Sequence, residues 1–232
     1  FKHLKAADSA KLWKHQRDAV KFSVDHLNRT NDTCLLRMPT GTGKTGVIAA
    51  LTTISCSGSS LVVTPWAYLR KQLISDLEED FWGKCGIRNP VREIKTLLPS
   101  SASTSLKSSK NTIFVTTFAS LNTLRKNHPS VYKDLSKCIS LVLVDECHYE
   151  PAVGWGRSVK ELNTKTILLT ATPYRNDLKL FRISDPQNHS LHFSHEDAVK
   201  NNIIREVEFH TLNCRSTDSL NNQLDKLSLI HI

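Results

Sequence analysis

Eight consecutive residues, Met38-Pro39-Thr40-Gly41-Thr42-Gly43-Lys44-Thr45, bring two glycines, a lysine and three hydroxyls together. Gly41 and Gly43 let the backbone curl tightly enough to turn several N–H groups toward one anion. A cation and a hydroxyl at the next two positions suit a phosphate chain. Lys44 is placed for the β- and γ-phosphates of ATP, and Thr45 for the Mg²⁺ that accompanies them. The usual spacing, G-x-x-x-x-G-K-[ST], carries glycine where this chain has Met38. A second group lies 145 − 44 = 101 residues later, where Asp145-Glu146-Cys147-His148 follows the apolar run Leu141–Val144. Asp145 is the expected Mg²⁺ ligand, acting through water. Glu146 is the expected base that orients and deprotonates the water attacking the γ-phosphate. Acids at strand ends are commonly just solvated. Beside a phosphate loop, they imply hydrolysis of ATP.

Such chemistry needs its loops held on one edge of a rigid frame. Short apolar runs are spaced by helical segments along the chain. Strands are expected at Cys34–Leu36, Ser60–Thr64, Val91–Leu97, Asn111–Thr116, Ser140–Val144 and Thr166–Thr170. Helices are expected around His15–Leu27, from Lys44 to Ser55 and from Trp66 to Phe81. This alternation predicts a doubly wound α/β fold, a mostly parallel sheet with helices on both faces and ligands at the carboxyl ends of its strands. The serine-rich stretch Pro99–Lys110 reads as a surface loop. Beyond Pro173 the rhythm fades, with one more strand candidate at Arg205–Leu212.

Composition is that of a globular protein, with 39% hydrophobic and 23% charged residues in 232, which excludes wholesale disorder. The charge balance of 31 − 22 = +9 suits a polyanionic partner such as nucleic acid. Six cysteines, at 34, 56, 85, 138, 147 and 214, include no C-x-x-C pair and read as reduced thiols in a cytoplasmic protein. No apolar stretch approaches the roughly 20 residues of a membrane span. The first residues, Phe1-Lys2-His3-Leu4-Lys5, lack the apolar core of a signal peptide.

Taken with three further stretches in the same order, the two motifs make the chain resemble the first RecA-like domain of a superfamily 2 helicase, with a DExH-type acidic motif. Leu12-Trp13-Lys14-His15-Gln16-Arg17 resembles the adenine-reading motif, which implies that Gln16 and Arg17 join Thr40–Thr45 as nucleotide ligands. Val63-Thr64-Pro65 and Val115-Thr116-Thr117 resemble the strand-end motifs that touch a nucleic-acid backbone, implying contacts from Thr64, Pro65 and Thr117. Leu169-Thr170-Ala171-Thr172-Pro173 resembles the motif coupling nucleotide state to strand separation. That implies coupling roles for Thr170 and Thr172, and for His148. The stretches Asp145–Trp155 and Thr170–Asp177 are most similar to the type III restriction subunit group, where Cys147 stands in place of the usual alanine. The resemblance implies an ATP-dependent DNA helicase or translocase and favours DNA over RNA. The alternatives are an RNA-dependent DExH helicase or RNA sensor, and a nucleotide-binding module without catalysis.

The same resemblance implies residues 1–175 as the ATP-binding domain and 176–232 as an extension toward a second RecA-like domain. That second domain supplies an arginine finger, and the 60 residues after Thr172 are too few to build it. The chain is therefore expected to be a fragment that hydrolyses ATP poorly by itself, since such a finger contributes ~10³–10⁵ in rate.

Several other residues carry two readings. His189, His192 and His195 recur every third position, yet no cysteine or carboxylate stands at a zinc-like spacing, so a polar surface loop is expected. Trp66 and Tyr68 either stack on bases or form the buried face of the following helix. Lys71, Lys84, Arg88 and Arg92 form a basic track or are scattered surface cations.

Overall fold

All residues of Ser59–Thr64 (β2) and Ile113–Thr117 (β4) are buried, a pattern that requires cover on both faces of a sheet. The computed structural model describes residues 12–54, 58–80, 92–107, 111–147, 153–172 and 185–206. The other strands are Cys34–Arg37 (β1), Ile94–Thr96 (β3), Ile139–Val144 (β5), Thr166–Thr170 (β6) and Ser190–His192 (β7). They form one sheet in the order β3-β4-β2-β5-β6-β1-β7, and each described pair is parallel.

Parallel strands demand crossovers, and the described helices between the strands contribute to them. The described helices are Lys14–Arg29 (α1), Lys44–Ile54 (α2), Ala67–Ser75 (α3), Ala102–Lys107 (α4), Phe118–Asn127 (α5), Pro129–Cys138 (α6), Val153–Lys160 (α7), Pro186–His189 (α8) and His195–Lys200 (α9), with α1 before the first strand and α9 after the last. One core sets Val20 and Val24 of α1, Ile48 and Leu51 of α2 and Leu73 of α3 against Leu36, Val62, Leu143 and Leu169. The opposite core sets Phe118 and Leu121 of α5 and Leu135 of α6 against Leu61, Val63, Phe114 and Val142. Neighbours along β2 enter opposite cores, as a period of two dictates. Phe114 is wholly enclosed, and truncating such a ring to alanine typically costs ~3–5 kcal/mol.

Because every pairing is parallel, the loops that leave the strands emerge along one edge. Register fixes that edge: Arg37 lies beside Thr170, Thr64 beside Thr117, and Val63 beside Val144. The phosphate loop, the acidic motif and the strand-end motifs lie at or just after these residues, while Gln16 and Arg17 come from α1, ahead of β1.

Three features depart from the sequence reading. The serine-rich stretch carries α4, because Ala102 is fully enclosed and Leu106 packs onto the same core. α3 gives way at Asp76 to a π-helical turn, Asp76–Asp80, and Phe81 lies outside the described residues. β7 comes from beyond residue 175 and pairs with β1 at Leu35, Leu36 and Arg37. Of the strand candidate Arg205–Leu212, only 205 and 206 are described, and they are not in a strand. No described helix is long and apolar enough to cross a membrane.

Candidate functional site

The phosphate loop leaves β1 at Met38, whose N–H donates to the Thr170 carbonyl at the end of β6, at 2.9 Å. Met38 itself is buried in the core, so the position that often holds glycine serves here as the last stitch of the sheet. The turn then closes on itself. The Thr42 hydroxyl donates to the Pro39 carbonyl at 2.7 Å, and Gly46 N–H donates to the Gly43 carbonyl at 3.0 Å as α2 begins. Gly41 and Gly43 have φ of +82° and +76°, where a side chain is strained. A β-carbon at Gly43 would also lie 2.2 Å from the Gln16 amide nitrogen.

α1 grips this loop from outside. His15 Nε2 donates to the Thr42 carbonyl at 2.8 Å, and the Gln16 amide donates to the Gly43 carbonyl at 3.0 Å and the Thr42 carbonyl at 3.4 Å. In a trans peptide the C=O and the following N–H point in opposite directions. Anchoring the Thr42 and Gly43 carbonyls toward α1 therefore turns the Gly43 and Lys44 N–H groups away from α1. The other end of the Gln16 amide accepts from the Trp13 N–H at 2.9 Å, capping α1.

Lys44 and Glu146 meet across the sheet edge, with Nζ 3.1 Å from Oε1. β6 lies between the strands that carry them. The pair is largely enclosed, with side-chain exposures of 9% and 21%. Glu146 adopts φ +47°, a turn forced where β5 ends. Its N–H donates to Asp145 Oδ1 at 3.0 Å, and the Asp145 N–H donates to the Val63 carbonyl at 2.9 Å. Burial pushes the Asp145 carboxyl up to about 6, the neighbouring Glu146 charge adds to this, and Lys44 opposes it. Thr45, at the second position of α2, is half-buried.

The remaining sequence-marked residues fall into separate places. Thr170 Oγ1 donates to the Thr172 carbonyl and accepts from its N–H, while the Thr170 carbonyl holds the start of the phosphate loop. Thr64 is fully buried, its hydroxyl 3.3 Å from the Thr116 carbonyl, and Pro65 is buried beside it. Thr117 caps α5, accepting from Ser120 N–H at 3.2 Å. Arg17 donates to the Leu12 carbonyl at 2.8 Å and Thr40 is exposed. His148, Lys84 and Arg88 lie outside the described residues. Arg92 bonds the Thr52 carbonyl, Ser60 and Asn111, which ties it to the opposite end of the sheet from the phosphate loop. Trp66 and Tyr68 do not bury against α3: they are 45% and 66% exposed at the carboxyl end of β2. No metal-holding group of three or more histidines, cysteines or acids occurs among the described residues.

Sequence reasoning missed two contributors. His15 grips the loop, and Phe193, after β7, stacks on the His15 ring at 4.6 Å and 9°. Neither could be singled out by spacing, because the contact spans 178 positions (193 − 15) and arises only once β7 joins β1. A cavity of about 610 Å³ opens beside this stack, lined by Trp13, Lys14, Asp18 and Asn201 among others.

Residues 9–175 match the family described as type III restriction enzyme, res subunit. No curated protein matches the chain. Among solved structures, it is similar to a nuclease-deletion mutant of the Type ISP restriction-modification enzyme LlaGI in complex with a DNA substrate mimic. There the identity is 16% and the TM-score 0.60, over 83% of this chain and 21% of that one. It is also similar to the DUF1998 helicase MrfA, at 18% identity and TM-score 0.53, over 76% of this chain and 30% of that one. The chain thus spans less than a third of the length of either protein, and the likeness is one of fold.

Proposed function

Because the chain belongs to the family of the type III restriction enzyme res subunit, we propose that it is the ATP-binding motor domain of a DNA helicase or translocase. The observation that carries this reading is the 3.1 Å approach of Lys44 to Glu146 at the mouth of a loop whose carbonyls are held outward by α1. A cation, a carboxylate and N–H groups turned away from α1 support this reading, because in-line attack of water on a γ-phosphate needs groups of those kinds around one volume.

In the proposed reaction, Lys44 exchanges Glu146 for the β- and γ-phosphates. Glu146, released, accepts the proton of the attacking water. The N–H groups of Gly43 and Lys44, with the start of α2, hold the phosphate charge. Asp145 and Thr45 offer hard oxygen donors that suit Mg²⁺. The raised Asp145 carboxyl supports that fit, since its buried charge lacks enough positive compensation. Mg²⁺, when bound with the nucleotide, supplies charge stabilisation on the phosphate oxygens. The motif resemblance is what supports Gln16 and Arg17 as nucleotide ligands, and the Thr170 carbonyl on Met38 N–H would give nucleotide state a direct route into the β6 loop.

The DNA complex of the LlaGI relative, together with the +9 charge, supports DNA as the partner. Thr64, Pro65 and Thr117 mark the strand ends that the duplex or single strand would cross. Mg²⁺-ATP hydrolysis by the chain and by a longer protein containing it, with and without duplex DNA, single-stranded DNA and RNA, tests the proposal. Stimulation by DNA supports it. Stimulation by RNA alone moves the reading to an RNA helicase, and nucleotide binding without any hydrolysis moves it to a non-catalytic module.

A further inference from the structure

A second cavity, of about 470 Å³, lies against the phosphate loop at Pro39 and Thr40 and the β6 loop at Ala171. Four of its described lining residues are basic or titratable to cations: Arg37, His192, His195 and Arg205. None is acidic. Arg37 is the last residue of β1, in register with His192 on one side and Thr170 on the other. Successive strand residues alternate faces, so Arg37 and His192 project to the same side of the sheet. Burial holds the His192 ring below its ordinary range and the positive field of Arg37 adds to this, so Arg37 is the standing charge on this side of the sheet. Arg37 Nε is buried and meets no hydrogen-bond partner among the described residues. A guanidinium N–H left unmatched in this way costs free energy unless something else fills it. Asp197, whose charge acts on His192, is engaged with Ser194, whose hydroxyl donates to it at 2.7 Å.

We propose that this pocket is a second anion site, in which Arg37 and Arg205 take a phosphate group lying outside the phosphate loop. Arginines on the wall of one pocket can match a phosphate's oxygens with several N–H donors. Two sources share that chemistry: a phosphate of a bound nucleotide, and a backbone phosphate of nucleic acid. The site is distinct from the Lys44–Glu146 centre, and its residues come partly from β7 and beyond, outside the family match at 9–175.

The test uses the 232-residue chain and the double variant Arg37→Gln/Arg205→Gln. The probes are an ATP analogue with Mg²⁺ and single-stranded and duplex oligonucleotides, at about 50 and about 200 mM salt. Affinity for one of these probes is expected to fall roughly tenfold, as loss of charge-assisted contacts implies. If the source is nucleic acid, the salt dependence should also flatten by about one to two released ions. The Arg37→Lys/Arg205→Lys variant should recover part of the loss. Arg205 is exposed, so Arg205→Gln alone decides the matter should the double variant fail to fold. Binding of every probe within twofold of the parent chain overturns the proposal. Lys44→Ala serves as the separate control: it should abolish nucleotide binding through the phosphate loop whether or not the second site exists.

Discussion

Lys44 Nζ stands 3.1 Å from Glu146 Oε1 and 3.5 Å from the Met38 carbonyl, so the loop's cation is held by the residue proposed to act as base. The two groups compete with a nucleotide for each other. A phosphate entering the loop must offer Lys44 more than Glu146 does, and in doing so it sets the carboxylate free to act on water. On the proposed mechanism, nucleotide binding and activation of the base are one event. Glu146 reaches this position only through a left-handed backbone, which costs a non-glycine residue roughly 1–2 kcal/mol.

Breaking the pair from each side should have opposite effects. Glu146→Gln removes the competing charge while keeping shape, so nucleotide should bind as tightly or up to about fivefold more tightly, from ~1 kcal/mol of released attraction. Hydrolysis should vanish. Lys44→Ala should remove most of the melting-temperature rise that nucleotide and Mg²⁺ give the parent chain. Hydrolysis by the glutamine variant near the parent rate means that another residue is the base.

Asp145 links the site to stability. Its carboxyl sits at about 6 against an ordinary 3.8, so the fold opposes its ionisation. For an acid raised in this way, the folded state binds more protons than the unfolded chain between pH ~4 and ~6. Stability therefore rises as pH falls through 6 and levels near 4, while the cost is complete above 6. Asp145→Asn should melt higher than the parent at pH 7.5 in chelator, with the difference shrinking toward pH 4. It should also lose Mg²⁺-dependent hydrolysis. A variant that melts at or below the parent at pH 7.5 removes this account of the site.

The frame and its chemistry differ in how far the sequence shows them. Lys44 and Asp145 are visible because each follows an apolar strand, and parallel pairing then sends both loops to one edge. β7 is invisible for the opposite reason. Ser190-Leu191-His192 has no strand pattern of its own and is ordered by pairing with β1. α4 hides among serines because only Ala102 and Leu106 mark its apolar side. Thr64 shows the limit of a motif: its place at a strand end is readable, but the turn of its hydroxyl toward the Thr116 carbonyl is set by the neighbouring strand.

Gln16 offers a sharp test of what the adenine-reading resemblance means here. Both ends of its amide are occupied, by the Gly43 and Thr42 carbonyls and by the Trp13 N–H. Its removal should loosen the phosphate loop itself. Gln16→Ala is expected to weaken ATP and GTP analogues to a similar extent, by roughly three- to tenfold for the loss of one or two net hydrogen bonds. His15→Ala should act in the same base-independent way. If Gln16→Ala instead spares the GTP analogue and weakens only ATP, the amide reads the base and its hold on the loop is secondary.

Contact with nucleic acid should divide into a salt-sensitive and a salt-insensitive part. The +9 charge predicts weak, sequence-independent binding that falls steeply with salt, because released counterions dominate backbone contacts. Thr64 is fully buried and bonded to β4, so Thr64→Val should leave oligonucleotide affinity unchanged while costing ~1 kcal/mol of stability. Trp66 and Tyr68, 45% and 66% exposed at the same strand end, are the rings that can meet bases. Base stacking is worth ~1–3 kcal/mol per ring, so the double alanine variant should bind single strands at least about fivefold more weakly, with an unchanged salt slope. Duplex, whose bases are already stacked, should lose little. Fluorescence titrations of both oligonucleotide forms at two salt concentrations separate these terms. Equal losses for duplex and single strand would make the two rings a general contact surface and not a stacking platform.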